Sequence, residues 1–345
     1  MTKLRLSLAL QGGGAHGAFT WGVLDRLLHD DDIEIAAMSG TSAGALNAAA
    51  CKAGLITGGR DGARASLDRL WGEVASVGDF RMVPWFAAMF PMAKAMGEAW
   101  RDTLTSATSG YLEQVYTPYA TGKFWRNPLA PAVARLDFAG VCAGDGPKLF
   151  IAATNVRTGK VRVFSGAEVT PEVLLASACL PSVFQAVEFV DPKTGQMEAF
   201  WDGGYAANPA LFPLYEPDLP DDVVVVSINP LRREVIPQQP LDIQSRIDEI
   251  SFNASLLSEL RAVNFVKRLL AEGKIEPGAM KDVRVHIISD EPLMNDLSPA
   301  SKLTPTPALL ERLKAAGQAA ADNFLTRHRG DIGMRSSVDL KRLFD

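Results

Sequence analysis

Cysteine is scarce: the chain has three in 345 residues, Cys51, Cys142 and Cys179, with no Cys-x-x-Cys pair. An odd, widely spaced set excludes a disulfide framework and a thiolate zinc site, and it suits a reducing compartment. An excess of basic charge is lacking too. The 35 Lys and Arg are outnumbered by 40 Asp and Glu, for a net charge of −5. That balance argues against a nucleic-acid partner bound through a basic face. No run of 18 apolar residues occurs, so no membrane-spanning helix is expected. The apolar alternation at the start is short and broken by Arg5 and Ser7. It reads as a strand and not as a secretory leader, so a cytoplasmic location is the expectation.

What is present is ordinary for a globular enzyme: 47% apolar and 22% charged residues. Leu4 to Leu10 reads as a strand running into Gly12-Gly13-Gly14, and Gly17 to Leu28 as a helix. Ile33 to Met38 is a second strand, followed at once by Ser39 to Gly44 and an alanine-rich helix, Ala45 to Ala53. This order opens a mostly parallel sheet covered on both faces by helices, a three-layer α/β fold. Further strands are expected at 148–154, 161–164, 222–228 and 283–288, and long helices at 243–270 and 307–327. Residues 56–147 are rich in Trp, Met, Gly and Pro and read as a helical cap insertion. The chain is therefore expected to be one domain, 1–330, with a surface tail at 331–345. Trp85, Phe86, Met89, Phe90, Met92 and Met96 fit two readings: a lid over an acyl groove or membrane surface, or core beneath the insertion.

Gly12, Gly14 and Gly17 satisfy G-x-G-x-x-G between a strand and a helix. One use of such a loop is to hold a dinucleotide, as in an oxidoreductase. That use calls for an acidic residue at the far end of the second strand, where this chain has Met38-Ser39-Gly40. The other use is an oxyanion hole, with bare amides aimed at a carbonyl oxygen under attack. Gly40-Thr41-Ser42-Ala43-Gly44 is G-x-S-x-G at a strand-to-helix junction, which marks Ser42 as a nucleophile on a strained turn.

A serine needs a base. None of the four histidines (His16, His29, His286, His328) stands in an obvious loop at the carboxyl edge of the sheet. Asp202, at a strand end before Gly203-Gly204, is the alternative, either as a directly bonded base or as an ordinary turn aspartate.

Gly12-Gly13-Gly14-Ala15-His16-Gly17, Gly40 to Gly44 and Asp202-Gly203-Gly204 together resemble the patatin-like phospholipases. The similarity extends to Leu46-Asn47-Ala48, Ala176 to Pro181 and Asn208-Pro209, and the C-terminal third adds little to it. The resemblance implies a serine–aspartate dyad, with Ser42 as nucleophile, Asp202 as base and main-chain amides of the Gly12–Gly14 loop as oxyanion hole. It implies a lipid or ester substrate cleaved without a metal or organic cofactor. A catalytically silent lipid-binding protein on the same scaffold is the remaining alternative. His16 departs from the pattern, since family members usually carry Arg or Lys there, and a neutral His16 would leave the oxyanion loop without that charge. Packing is expected of Ser177 and Cys179, and Asn208 is expected to hold the turn after Asp202.

Overall fold

From Leu6 to Leu10 every residue of the first strand, β1 (Leu4–Leu10), is buried, because helices cover both faces of the sheet at its centre. The computed structural model describes residues 3–78, 118–119, 126–276 and 278–344. The Trp85–Met96 stretch lies outside the described residues. After β1 come α1 (Gly17–Leu27), β2 (Ile33–Thr41) and α2 (Ala43–Val77), the last bent where Gly58 and Gly59 leave helical angles. Short helices α3 (Ala130–Ala134) and α4 (Phe138–Cys142) precede the hairpin of β3 (Lys148–Asn155) and β4 (Val161–Ser165). Helix α5 (Pro171–Ser177), the hairpin of β5 (Val187–Val190) and β6 (Met197–Asp202), and β7 (Asp222–Val226) follow. The C-terminal third supplies α6 (Pro240–Ala271), β8 (Arg284–Ile288), α7 (Glu291–Asp296), α8 (Pro307–His328) and α9 (Leu340–Phe344).

The sheet runs β5-β6-β3-β2-β1-β7-β8, with β4 also on β3. Neighbours are parallel from β3 to β8 and antiparallel around β4, β5 and β6. Side-chain alternation divides the core. Leu6, Leu8, Leu10, Val224 and Val226 pack toward α1, α2 and α8, while Ala9, Val223 and Val225 pack toward α6 and α9. The fold is therefore the expected three-layer α/β arrangement.

Pairing on β3 fixes the geometry that follows. Its residues Lys148–Ala152 pair with β2, Ala153–Asn155 with β6, and Phe150–Thr154 with β4. Since β4 occupies one edge of β3 alongside both other partners, β2 and β6 share the opposite edge, and their carboxyl ends meet head-on.

Two regions differ from expectation. Strand β2 runs on to Thr41, and the helix beyond it begins at Ala43, leaving Ser42 alone as the connection. Residues 331–344, expected as a surface tail, are instead packed down. Gly333 N donates to Asp222 Oδ1 at 2.9 Å and Ser337 N to Val285 O at 3.2 Å, and Ile332 and Leu340 are buried. Two anchors eight residues apart leave no periodic signal in a polar segment. The described flanks of the 56–147 insertion join the main core through Leu67, Leu70, Trp71, Leu129 and Val133.

Asn47 ties three of these parts together. Its Oδ1 accepts from Trp71 Nε1 at 2.9 Å, and its Nδ2 donates to the carbonyls of Gly17 and Ala43 at 3.0 Å each. All three links are buried, and Trp71 stacks on Trp21 of α1. Asn47→Ala should therefore cost about 3 kcal/mol of folding stability, because it leaves the indole N–H without a partner. Urea denaturation of wild type and variant measures the loss.

Candidate active site

Among the described residues, Ser42 is the single non-glycine with a left-handed backbone (φ 53°, ψ −123°). A conformation of this kind costs about 1–3 kcal/mol and persists only where the surroundings enforce it. Here they do. A Cβ on Gly44 would lie 2.1 Å from Leu10 O, and one on Gly40 would lie 2.6 Å from Gly44 O, so the turn closes only with glycine at both places. Ser42 N donates to Ser177 Oγ at 2.9 Å, and Ser177 Oγ donates to Ala152 O at 2.7 Å. Ser177 thus bolts the turn to β3, a role beyond the packing expected of it. The N-terminus of α2 starts at the next residue and directs its positive end at the serine.

Asp202 closes β6 where that strand meets the end of β2, and the Ser42 hydroxyl is a neighbour that helps to stabilise its carboxylate. The backbone on either side is clamped: Asp202 N donates to Cys179 O at 2.8 Å, and Thr154 Oγ1 donates to Asp202 O at 2.8 Å. The side chain is fully buried, yet Oδ1 accepts only the Gly204 N–H, at 2.8 Å, and Oδ2 has no formed hydrogen bond. Burial outweighs the two stabilising contacts and pushes the carboxyl up to about 7. Cys179 beside it is inert: burial and the Asp202 charge push its thiol up to about 12.

The glycine loop lies across Ser42, and a Cβ on Gly12 would sit 2.6 Å from Ser42 Cβ. Gly12 N–H is already committed, donating to Asn208 Oδ1 at 2.6 Å. The N–H groups of Gly13, Gly14 and Ala43 donate to no acceptor among the described residues. Asn208, expected to hold the turn after Asp202, holds the glycine loop instead. Gln11 does so too. Its Oε1 accepts from the backbone of Ile228 and Asn229, and its Nε2 donates to Asn208 O at 3.2 Å and Asn253 Oδ1 at 3.1 Å. These side chains stand singly in the chain with partners some 200 residues away, so no local pattern reveals them.

Beside Ser42 a pocket opens between α2 and the segment 178–184. Leu46, Trp71, Val74, Leu129, Leu180 and Phe184 make it predominantly apolar, and Gly14, Ala43 and Lys302 complete its wall. His16 does not reach out as a cation. It is buried, Nε2 pairs with Ser301 Oγ at 2.7 Å, and burial together with Lys302 and Arg233 lowers it to about 3. His286 is a core histidine paired with Asp222 at 3.0 Å, and His328 pairs with Asp331 at 2.8 Å. No group of three His, Cys, Asp or Glu able to hold a metal occurs among the described residues. Likewise, no described helix is long and apolar enough to cross a membrane.

A buried carboxyl with a raised pKa favours the fold while protonated. The stabilisation is complete below the ordinary carboxylate value of 3.8 and is lost as pH rises through about 7. Asp202→Asn carries no such liability. The variant should melt at a higher temperature than wild type at pH 8, by an amount equivalent to a few kcal/mol, and the difference should vanish toward pH 4. Calorimetry across that range measures it.

The sequence model of the patatin-like phospholipases matches residues 8–215, more than half of the chain. No curated protein matches it. Among solved structures, VipD from Legionella pneumophila is similar at a TM-score of 0.41 and 15% identity, over 95% of this chain and 67% of that one. The matched segment holds the glycine loop, Ser42 and Asp202, and on that match this chain belongs to the patatin-like phospholipase family.

Proposed function

We propose that this lipid acyl hydrolase cleaves carboxylic esters with apolar acyl chains through an acyl-enzyme on Ser42. The observation that carries the reading is the pairing of a strained serine with a buried carboxylate whose Oδ2 is unclaimed. As Ser42 Oγ attacks the ester carbonyl, its proton passes to Asp202, whose carboxyl near 7 suits both acceptance and return. The carbonyl oxygen becomes an oxyanion facing the N–H groups of Gly13, Gly14 and Ala43, at a helix N-terminus. Asp202 then hands the proton to the departing alkoxide. Water, deprotonated by the same carboxylate, attacks the acyl-enzyme and restores Ser42. Gly12 serves the loop's position and not the hole, because Asn208 holds its N–H. Gly17, Gly203 and Gly204 keep the backbone close around the dyad, and Gly204 N–H steadies Asp202 Oδ1. No cofactor enters these steps.

The apolar cavity suits an acyl chain, and a lipid substrate calls for transient contact with a membrane surface by an otherwise cytoplasmic protein. Burying one methylene of the chain is worth about 0.8 kcal/mol, so chain length should show chiefly in KM up to the depth of the groove.

Ser42→Ala should abolish labelling by a fluorophosphonate probe and lower kcat on p-nitrophenyl butyrate by at least about a thousandfold, and Asp202→Asn should do nearly the same. Full turnover by either variant would remove the dyad, and a folded wild type without either activity would favour a silent lipid-binding protein. The free-enzyme kcat/KM of wild type should rise tenfold per pH unit on the acid side and level off above about 7, where Asp202 is ionised. A stopped-assay pH profile checks the position of that bend.

A further inference from the structure

A carbonyl of the glycine loop is held by two side-chain donors. Gly12 O accepts from Asn229 Nδ2 at 2.7 Å and from Asn208 Nδ2 at 3.3 Å. Asn229 cannot be turned round, because its Oδ1 accepts from Lys302 Nζ at 3.2 Å and an ammonium only donates. The peptide that carries Gly12 O also carries Gly13 N–H, and in a trans peptide the two point in opposite directions. The donors that pull on Gly12 O therefore leave Gly13 N–H facing away from the asparagines, and it has no acceptor of its own among the described residues.

Lys302 belongs to the turn Pro299–Leu303, whose backbone presses on the glycine loop: a Cβ on Gly14 would lie 2.2 Å from Lys302 O. Its acidic neighbour, Glu249, is shared with two arginines. Glu249, on α6 and 1% exposed, is already bonded by Arg233 at 2.6 Å and by Arg246 at 3.3 Å, while Lys302 stands 3.5 Å away. Three cations share the Glu249 carboxylate, and with Asp248 the cluster holds three cations and two carboxylates. Asp248 on α6 is the further acidic group that acts on Lys302. His16, under the same loop, is neutral.

We propose that Lys302, acting through Asn229, polarises the Gly12–Gly13 peptide so that Gly13 N–H becomes a stronger donor to the oxyanion. Hydrogen bonds in a chain strengthen one another in a medium of low dielectric, and a cation at one end adds to the effect. Lys302 and Asn229 are then positioning residues, and the residues that carry them lie outside the family match at 8–215. The proposal rests on the acyl-transfer reading for its catalytic consequence, whereas the polarisation itself is a property of the resting protein.

The test uses the full chain and three variants, K302Q, K302R and N229D. The last keeps an oxygen toward Lys302 and removes the donor to Gly12 O. On p-nitrophenyl butyrate, K302Q should lose about tenfold in kcat with KM within about twofold. N229D should approach the hundredfold loss typical of removing an oxyanion donor, and K302R should recover most of the K302Q loss. In spectra of 15N-labelled protein the Gly13 amide proton should move upfield in K302Q and N229D. In wild type it should move the same way at high pH as Lys302 loses its proton, which burial and Arg233 make easier, and K302R should not show that titration. Unchanged kcat and an unmoved Gly13 resonance in K302Q and N229D would overturn the proposal. So would a K302R loss equal to that of K302Q. If wild type shows no Ser42-dependent hydrolysis, the acyl-transfer reading falls, and the amide resonance alone decides the polarisation.

Discussion

Two strand ends meet on one edge of β3, and the rest of the site depends on that meeting. Strand β2 arrives at Thr41 opposite Ala152, and β6 arrives from the other direction with Asp202 opposite Ala153. Neither strand can continue, so both must turn out of the sheet at the same place. One leaves through Ser42 into α2 and the other through Gly203-Gly204. Ser42 and Asp202, 160 positions apart in sequence, are brought together by backbone pairing and not by side-chain attraction. Serine and aspartate have little mutual affinity, and an arrangement that relied on it would not hold a charge in a buried place.

Holding it there has a cost that the surroundings distribute. Asp202 is fully buried with one formed hydrogen bond to its side chain, and Ser42 occupies a backbone region that other side chains avoid. Both are destabilising locally. The compensation is a dense set of buried polar links at the carboxyl ends of the strands, running through Gln11, Asn47, Ser177, Asn208, Asn229 and Asn253. Several of these links satisfy loop backbone that a sheet edge would otherwise leave open to water. These links also consume Gly12 N–H, while the N–H groups of Gly13, Gly14 and Ala43 have no acceptor among the described residues.

How much of this was legible beforehand follows the range of each constraint. The elbow is a five-residue device, and glycine at 40 and 44 is dictated by contacts that any such turn must make, so Ser42 stands out in the chain alone. The parallel sheet was legible for the same reason, because strand and helix periods alternate from Leu4 to Ala53. Asp202 was visible only as an acidic residue at a strand end, and its high pKa depends on burial that no local pattern encodes. Gln11, Ser177, Asn229 and Lys302 were invisible as site residues. Each is a common polar side chain whose partner lies 70 to 220 positions away.

The missed residues share a direction, and it changes how the C-terminal third is understood. The family match ends at residue 215, yet α6 and the turn Pro299–Leu303 reach back to cover the glycine loop from behind. His16 at the loop is neutral, and among the described residues Lys302 brings a positive charge behind that loop through Asn229. On the proposed reading, the charge acts on the donor through one asparagine, and Lys302 also forms part of the cavity wall beside Ser42. That wall is otherwise largely apolar. The division of labour on the proposed reading is physical: the matched segment carries Ser42 and Asp202, and the remainder carries Asn229 and Lys302 behind the glycine loop.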